Sequence, residues 1–355
     1  MSAPTPLSDR PAHPDPQPPP HPAAPRSPRR RAWRVLATTL AVAFVAGIVV
    51  AAVAGYQDAL DFYRVDDHTD PVVTSEDAQT RANRAELPPP DPDPAYAAEL
   101  RKVLAAHRAG GEFVGARIAL MDADGSITEV ADGSASLGAA STPVDPSIPW
   151  NIGSATKTFV AVVVLQLVDE GRLDLDEGIA EWFPDLPQAD WITPRMLLQH
   201  TSGLNEYIES AAVQSDKARH WAPSELIAVA EAAGRLGEPG ELHHYTNTNY
   251  LVLGELIRHV TGEEWTEQVR SRITEPLGMH GTSVAPSVDE AAVGYVVVGG
   301  QFVDATRSAD PSIGGAAGAL QSTGRDLLEF AAALEKGRLV SPESRREMEA
   351  FIAAE

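Results

Sequence analysis

Ser154 and Lys157 are the residues of this chain whose types and spacing best suit chemistry. A serine hydroxyl becomes a nucleophile when a neighbouring base takes its proton. A lysine can be that base once desolvation lowers its pKa, a role arginine cannot fill. The two stand three residues apart in Asn151-Ile-Gly-Ser-Ala-Thr-Lys157, so on a helix they share a face. Asn151-Ile-Gly153 reads as a turn and the mainly apolar run from Ala155 to Val168 as a buried helix. Gly171 stands just past its end, where a left-handed residue closes a helix. Ser154 then falls at the helix N-terminus, where free N–H groups and the dipole favour negative charge. The chain has 28 basic residues but only four lysines, Lys102, Lys157, Lys217 and Lys336, and only Lys157 has a serine three positions before it. The same letters also fit a serine cap followed by a snorkelling lysine, and the spacing alone leaves both readings open.

A second pair stands at Tyr245-Thr246-Asn247. In an extended turn, residues i and i+2 point to one side, so the phenol and the amide can face one cleft. Tyr245 would relay a proton if a neighbouring lysine lowered its pKa, and Asn247 would hold a substrate carbonyl. The plainer reading is a loop tyrosine followed by a cap for the helix at Tyr250. Other candidates carry less. His243 and His244 are adjacent and diverge, and no His-Glu-x-x-His occurs, so no metal and no cofactor is assigned. His200 is expected to order its loop rather than act as a triad base. No Gly-x-Ser-x-Gly elbow occurs.

These residues need elements to hold them. The 355 residues contain no cysteine, which excludes disulfides and thiolate metal sites. Residues 1–34 hold eleven of the 29 prolines, six arginines and two acids, a composition that buries no core and reads as a disordered tail. Subtracting that segment's +4 from the net −22 leaves −26 on the remainder, which excludes nucleic acid as a partner. Residues 35–55 are uncharged and mostly apolar, long enough for a membrane-spanning helix. Arg29, Arg30, Arg31 and Arg34 precede them and Asp58, Asp61, Asp66 and Asp67 follow. That asymmetry predicts a single-pass protein with a cytoplasmic N-terminus and an extracytoplasmic bulk. A signal peptide cleaved near Ala52-Val53-Ala54 is the competing reading, and both export the domain. Residues 56–94 read as an acidic, proline-rich linker.

From 95 to 355 the pattern is one folded domain. Ala95–Ala109 reads as a helix with Leu100, Val103 and Leu104 on its apolar stripe. Ala116–Met121 and Ser126–Val130, joined through Asp124-Gly125, read as a β-hairpin. Residues from about 172 to 310 read as mainly helices and long loops, with stripes at Leu253, Ile257 and Val260 and at Trp265, Val269 and Ile273. Helices near Gly324–Glu335 and after Ser341-Pro342 follow.

Taken together, Ser154-x-x-Lys157 and Tyr245-x-Asn247 resemble the first two signatures of the serine β-lactamase and penicillin-binding-protein superfamily. The tyrosine form is similar to its branch of class C β-lactamases, D-alanyl-D-alanine carboxypeptidases and esterases. Further resemblances run through Gly171–Asp176, Leu197–Leu204, Tyr245–Gly254, Glu275–Met279 and Ala317–Thr323. The resemblance implies an α+β, β-lactamase-like fold, an antiparallel sheet flanked by helices plus an all-helical lobe. It implies catalytic roles for Ser154, Lys157, Tyr245 and Asn247, acyl-enzyme chemistry, and a small-molecule or peptidoglycan-peptide substrate: a D-alanyl peptide, a β-lactam or an ester. The family's third signature, a Lys/His-x-Gly on a cleft strand, has no counterpart before Glu355, and His280-Gly281-Thr282 lies too early to replace it. The expectation is therefore a domain lacking its C-terminal sheet strands, with weakened activity. A membrane-tethered binding protein that keeps the fold without turnover is the alternative from another class.

Overall fold

In the computed structural model, residues 95–138, 141–284, 292–306 and 308–350 are described. The tail, the 35–55 apolar run and the 56–94 linker lie outside them. Among the described residues no helix is long and apolar enough to cross a membrane.

The first helix, α1 (Ala95–Ala109), lies against a two-stranded antiparallel hairpin of β1 (Gly115–Met121) and β2 (Ile127–Gly133). Ala97, Leu104 and Val130 form the buried contact, with Leu100 packed beside them. Val103, expected on the stripe, is 49% exposed, because Ala97, Leu100 and Leu104 already define the face that meets β2. A second sheet is built from β3 (Trp150–Asn151), β4 (Ser283–Val284) and β7 (Leu320–Ser322), with β7 in the centre. Arg117 of β1 ties the hairpin to it, donating to the carbonyls of Pro146, Ile148 and Ser322 at 2.9 Å each.

Directly after β3 comes α2 (Thr156–Asp169), which is apolar on almost every side. That pattern demands burial on all faces. Phe159, Val160, Val162, Val163, Val164, Leu165 and Leu167 are all within 2% of full burial. Short helices α3 (Pro194–Leu198), α4 (Ala211–Ser215) and α5 (Pro223–Ala232) follow, and then α6 (Thr248–Thr261), which packs on α2, α3 and α5. Helix α7 (Trp265–Val269) runs through a widened turn into α8 (Glu275–Leu277). Leu253, Ile257, Trp265, Val269 and Ile273 all enter the main core, as their spacing predicts.

The stretch 172–310 is not helical throughout. After α8 it carries β4 and then a hairpin of β5 (Tyr295–Val298) and β6 (Gln301–Asp304). Three consecutive valines favour a strand. Gly299 and Gly300, both at positive φ, make the two-residue turn that fits strand twist. The chain closes with α9 (Gly315–Gly318), β7, α10 (Gly324–Glu335) and α11 (Pro342–Met348). Phe330 of α10 stacks on Phe159 of α2 with ring centroids 4.0 Å apart.

Helix α6 approaches α9 closely because Gly254 has no side chain. A Cβ at this position would sit 2.7 Å from the Ala316 Cβ. That approach places the next carbonyl, of Ala317, over α2.

Candidate active site

The chain leaves β3 at Asn151 and reverses through Gly153, whose φ of 49° suits glycine. Ser154 then sits in a single 3-10 turn, Gly153–Ala155, ahead of α2 rather than inside it. Two bonds to the β7 segment fix this turn: Ile152 N–H donates to the Leu320 carbonyl at 3.0 Å, and Leu320 N–H donates to Thr156 Oγ1 at 3.1 Å. Ser154 is exposed on the lip, whereas Lys157, one turn on, is only 6% exposed.

Lys157 Nζ donates to three acceptors: Ser154 Oγ at 3.2 Å, Asn247 Oδ1 at 2.8 Å and the Ala317 carbonyl at 2.8 Å. An ammonium has three protons, so each is used. The Tyr245 hydroxyl donates to Ser154 Oγ at 2.9 Å. All four residues singled out in the sequence therefore form one hydrogen-bonded cluster, with Lys157 and Tyr245 on the serine oxygen and Asn247 on the lysine amine. Asn247 can contribute because its side chain makes no capping bond at the start of α6, so its Oδ1 reaches Lys157.

Burial pulls the Lys157 ammonium down to about 8, against the opposing pull of the Glu206 carboxylate. The amine can thus be neutral near ordinary pH. Tyr245 behaves differently from the sequence expectation. Burial raises its pKa, with the Ser154 hydrogen bond opposing and Glu206 adding to the rise. Lysine does not lower it because Nζ lies over the ring face, 4.9 Å from the centroid, and spends its protons elsewhere. The phenol therefore stays protonated and donates.

His200 supports this arrangement from behind. It stands at φ 59° and its Nδ1 accepts from Thr246 N–H at 3.3 Å and pairs with Asn249 Nδ2 at 3.1 Å. Its ring packs on Tyr245 with centroids 4.3 Å apart. Burial, then the nearby Lys157, push its pKa down to about 3. A neutral histidine that braces the tyrosine loop is what the geometry shows.

Two participants escaped the sequence reading. The Ala317 carbonyl is a backbone atom and has no signature in residue type. Glu206, partly buried beside Asn247, accepts both the N–H and the Nδ2–H of that residue; it stands two residues past the Leu197–Leu204 segment, where no spacing marks it. His280-Gly281-Thr282 lies away from this cluster's bonding. Gly281 N–H and Thr282 Oγ1 both donate to Asp326 of α10, at 2.9 and 2.7 Å.

A model of the Beta-lactamase family matches residues 100–354. The chain belongs to the beta-lactamase family. Among relatives, penicillin-binding protein 4 of Amycolatopsis lactamdurans is 28% identical over 248 residues, 65% of this chain and 62% of that protein. The chain spans 51% of the length of a Bacillus subtilis relative, PbpX, and 62% of that of the Amycolatopsis protein. Solved structures give the same family. The D-amino acid amidase of Ochrobactrum anthropi SV3, complexed with L-phenylalanine, superposes with a TM-score of 0.64 at 32% identity, over 70% of this chain and 72% of that one. A D-stereospecific amidohydrolase from Streptomyces gives 0.61 at 30% identity, over 74% and 79%. The mixed α+β architecture is that of the beta-lactamase fold.

Proposed function

We propose that this member of the beta-lactamase family is an extracytoplasmic serine hydrolase that forms an acyl-enzyme on Ser154, tethered by the apolar run 35–55. The observation that carries the reading is the meeting of Lys157 and Tyr245 on the Ser154 oxygen, with Asn247 on the lysine and the lysine drawn down to about 8.

Neutral Lys157 has two protons and one lone pair. The protons go to the Asn247 and Ala317 carbonyl oxygens, which can only accept, and the lone pair faces Ser154 Oγ. Ser154 adds to the substrate carbonyl as its proton passes to Lys157. Tyr245, still protonated, keeps donating to the serine oxygen and stands ready to pass a proton to the leaving group. The Ser154 N–H, ahead of the helix start, is the oxyanion donor in this reading. The carbonyl's bond to the leaving amine or alcohol breaks, and that group departs with a proton. Water then cleaves the Ser154 ester, releasing a carboxylic acid and returning the serine proton. One Asn247 Nδ2 proton goes to Glu206 and Oδ1 orients Lys157, which leaves the second Nδ2 proton to donate to the acyl group.

Among acyl donors, amides of D-amino acids and D-alanyl peptides are the proposed class. The amidase, the amidohydrolase and the penicillin-binding relative support it. Export is supported by the arginines before the apolar run and the aspartates after it.

The test is mass spectrometry of the full chain after incubation with a penicillin. One adduct on the peptide containing Ser154, absent from Ser154→Ala, is expected. An unmodified protein that nonetheless binds the penicillin reversibly would favour a binding protein without turnover.

A further inference from the structure

Glu206 stands behind the reacting groups and has no part in the steps above. Its Oε2 accepts from Asn247 N at 2.8 Å and from Asn247 Nδ2 at 3.0 Å. Its Oε1 accepts from Tyr207 N at 2.9 Å and from Ile208 N at 3.0 Å. Four N–H donors thus converge on two oxygens. A carboxylate satisfies them all. A primary amide there would turn its own NH2 towards N–H donors whichever way it flipped.

We propose that Glu206 is a positioning residue for the acyl transfer: it locks the Asn247 amide with Oδ1 towards Lys157, which aims the amine's lone pair at Ser154. This rests on the reading of Ser154 as nucleophile and Lys157 as base. An asparagine amide can flip, and its two faces differ in kind. Flipped, it would present Nδ2–H to the neutral amine, which would accept it with the lone pair that Ser154 needs. Because Glu206 only accepts, the donor face of the amide must meet Glu206 and the acceptor face must meet Lys157.

The same carboxylate sets the charge balance. Among the titratable groups around Lys157, Tyr245, Tyr250 and Tyr207 are held protonated by burial and His200 is held neutral, with the His243 ring 6.2 Å from its own. Glu206 is the anion acting on Lys157, and it raises the lysine's pKa against the effect of burial.

The test is the rate at which a fluorophosphonate labels the full chain, followed against pH. Ser154 Oγ bonds to phosphorus, the P–F bond breaks, fluoride leaves and the serine proton goes to Lys157. Glu206→Gln should lower the plateau rate ~10–100-fold, as a misaimed base does. It should also move the acid limb down by roughly one pH unit, because the ammonium loses its counter-charge. Glu206→Asp keeps the charge but shortens the reach, so the wild-type midpoint should survive while the plateau falls. A Glu206→Gln protein with the wild-type plateau and midpoint overturns the proposal. So does one whose rate falls only with its folded fraction, by circular dichroism, at an unmoved midpoint. If Glu206→Gln does not fold, Glu206→Asp decides: a reduced plateau supports the proposal and an unchanged one overturns it. Ser154→Ala separates the two readings. Labelling of that variant would remove the nucleophile itself, and the positioning role with it. A silent Ser154→Ala beside wild-type Glu206 variants would remove the positioning role alone.

Discussion

Lys157 Nζ lies 2.8 Å from Asn247 Oδ1, a bond that joins two motifs 90 residues apart in the chain. Helix α2 supplies the lysine and the start of α6 supplies the asparagine. Neither motif contains a complete site. Their meeting depends on the packing of α2 against α6 and of α6 against α9, so the chemistry and the core are coupled.

Tyr245→Phe isolates the phenol. The ring stays packed on His200, so stability should change by less than about 1 kcal/mol, the usual worth of one hydrogen bond. Acylation should fall ~100–10,000-fold, the range of a lost proton-transfer group. Its pH limb should stay where Lys157 puts it. A limb that moves with this substitution would make the tyrosine the titrating base. Labelling kinetics at several pH values make the distinction.

Gly254→Ala tests the approach of α6 to α9. The added methyl would lie 2.7 Å from the Ala316 Cβ and 3.4 Å from the Trp265 ring. Overpacking of this kind costs ~1–3 kcal/mol. Because α9 carries the carbonyl that Lys157 holds, labelling should also slow. Urea melts and labelling rates read the two effects. An unchanged midpoint would show that the helices separate freely.

The pattern of short motifs was legible for a physical reason. Ser154, Lys157, Tyr245 and Asn247 each carry a chemical group at a spacing that a helix start or a turn converts into direction. The long apolar helix α2 and the stripes of α6 and α7 were legible because full burial leaves a period in the sequence. The Ala317 carbonyl was not, since any residue type supplies one. Tyr245's raised pKa was not either: the sequence brings lysine close, and only the structure shows that Nζ meets the ring face rather than the oxygen. The β5–β6 hairpin did leave a signal. Tyr295–Val298, Gly299-Gly300 and Gln301–Asp304 form a strand, turn and strand that the reading of 172–310 as helices and loops passed over.

His200 links pH to stability. Its pKa falls from the ordinary 6.5 to about 3 in the fold, so between these values the unfolded chain binds the proton and the folded one does not. Stability is therefore complete above about 6.5 and declines as the pH drops towards 3, by up to ~1.4 kcal/mol per pH unit. His200→Asn suits the left-handed backbone and removes the titration. Its stability should fall less steeply between pH 6 and pH 4 (a window of about two units that lies within the shift). Parallel slopes for the two proteins, measured by urea melts, would place a charged or exposed imidazole at this position.

A reporter fused after residue 94 tests export. Alkaline phosphatase placed there should be active and cytoplasmic fluorescent-protein folding should be lost, because the arginines precede the apolar run. Phosphatase silence would remove both the anchor and the cleaved-signal readings.

The central claim is that neutral Lys157 takes the Ser154 proton, and the pH dependence of labelling tests it most directly. In the wild-type full chain the fluorophosphonate rate should rise with pH to a plateau, with its midpoint near the lysine's value of about 8, because only the neutral amine has a lone pair. Lys157→Arg keeps the positive charge but cannot release a proton in this range. It should therefore lose the rise altogether and label at least ~100-fold more slowly at the plateau. An arginine variant that labels at the wild-type rate with the same midpoint would contradict the account, and the lysine would then be a buried charge beside a serine cap.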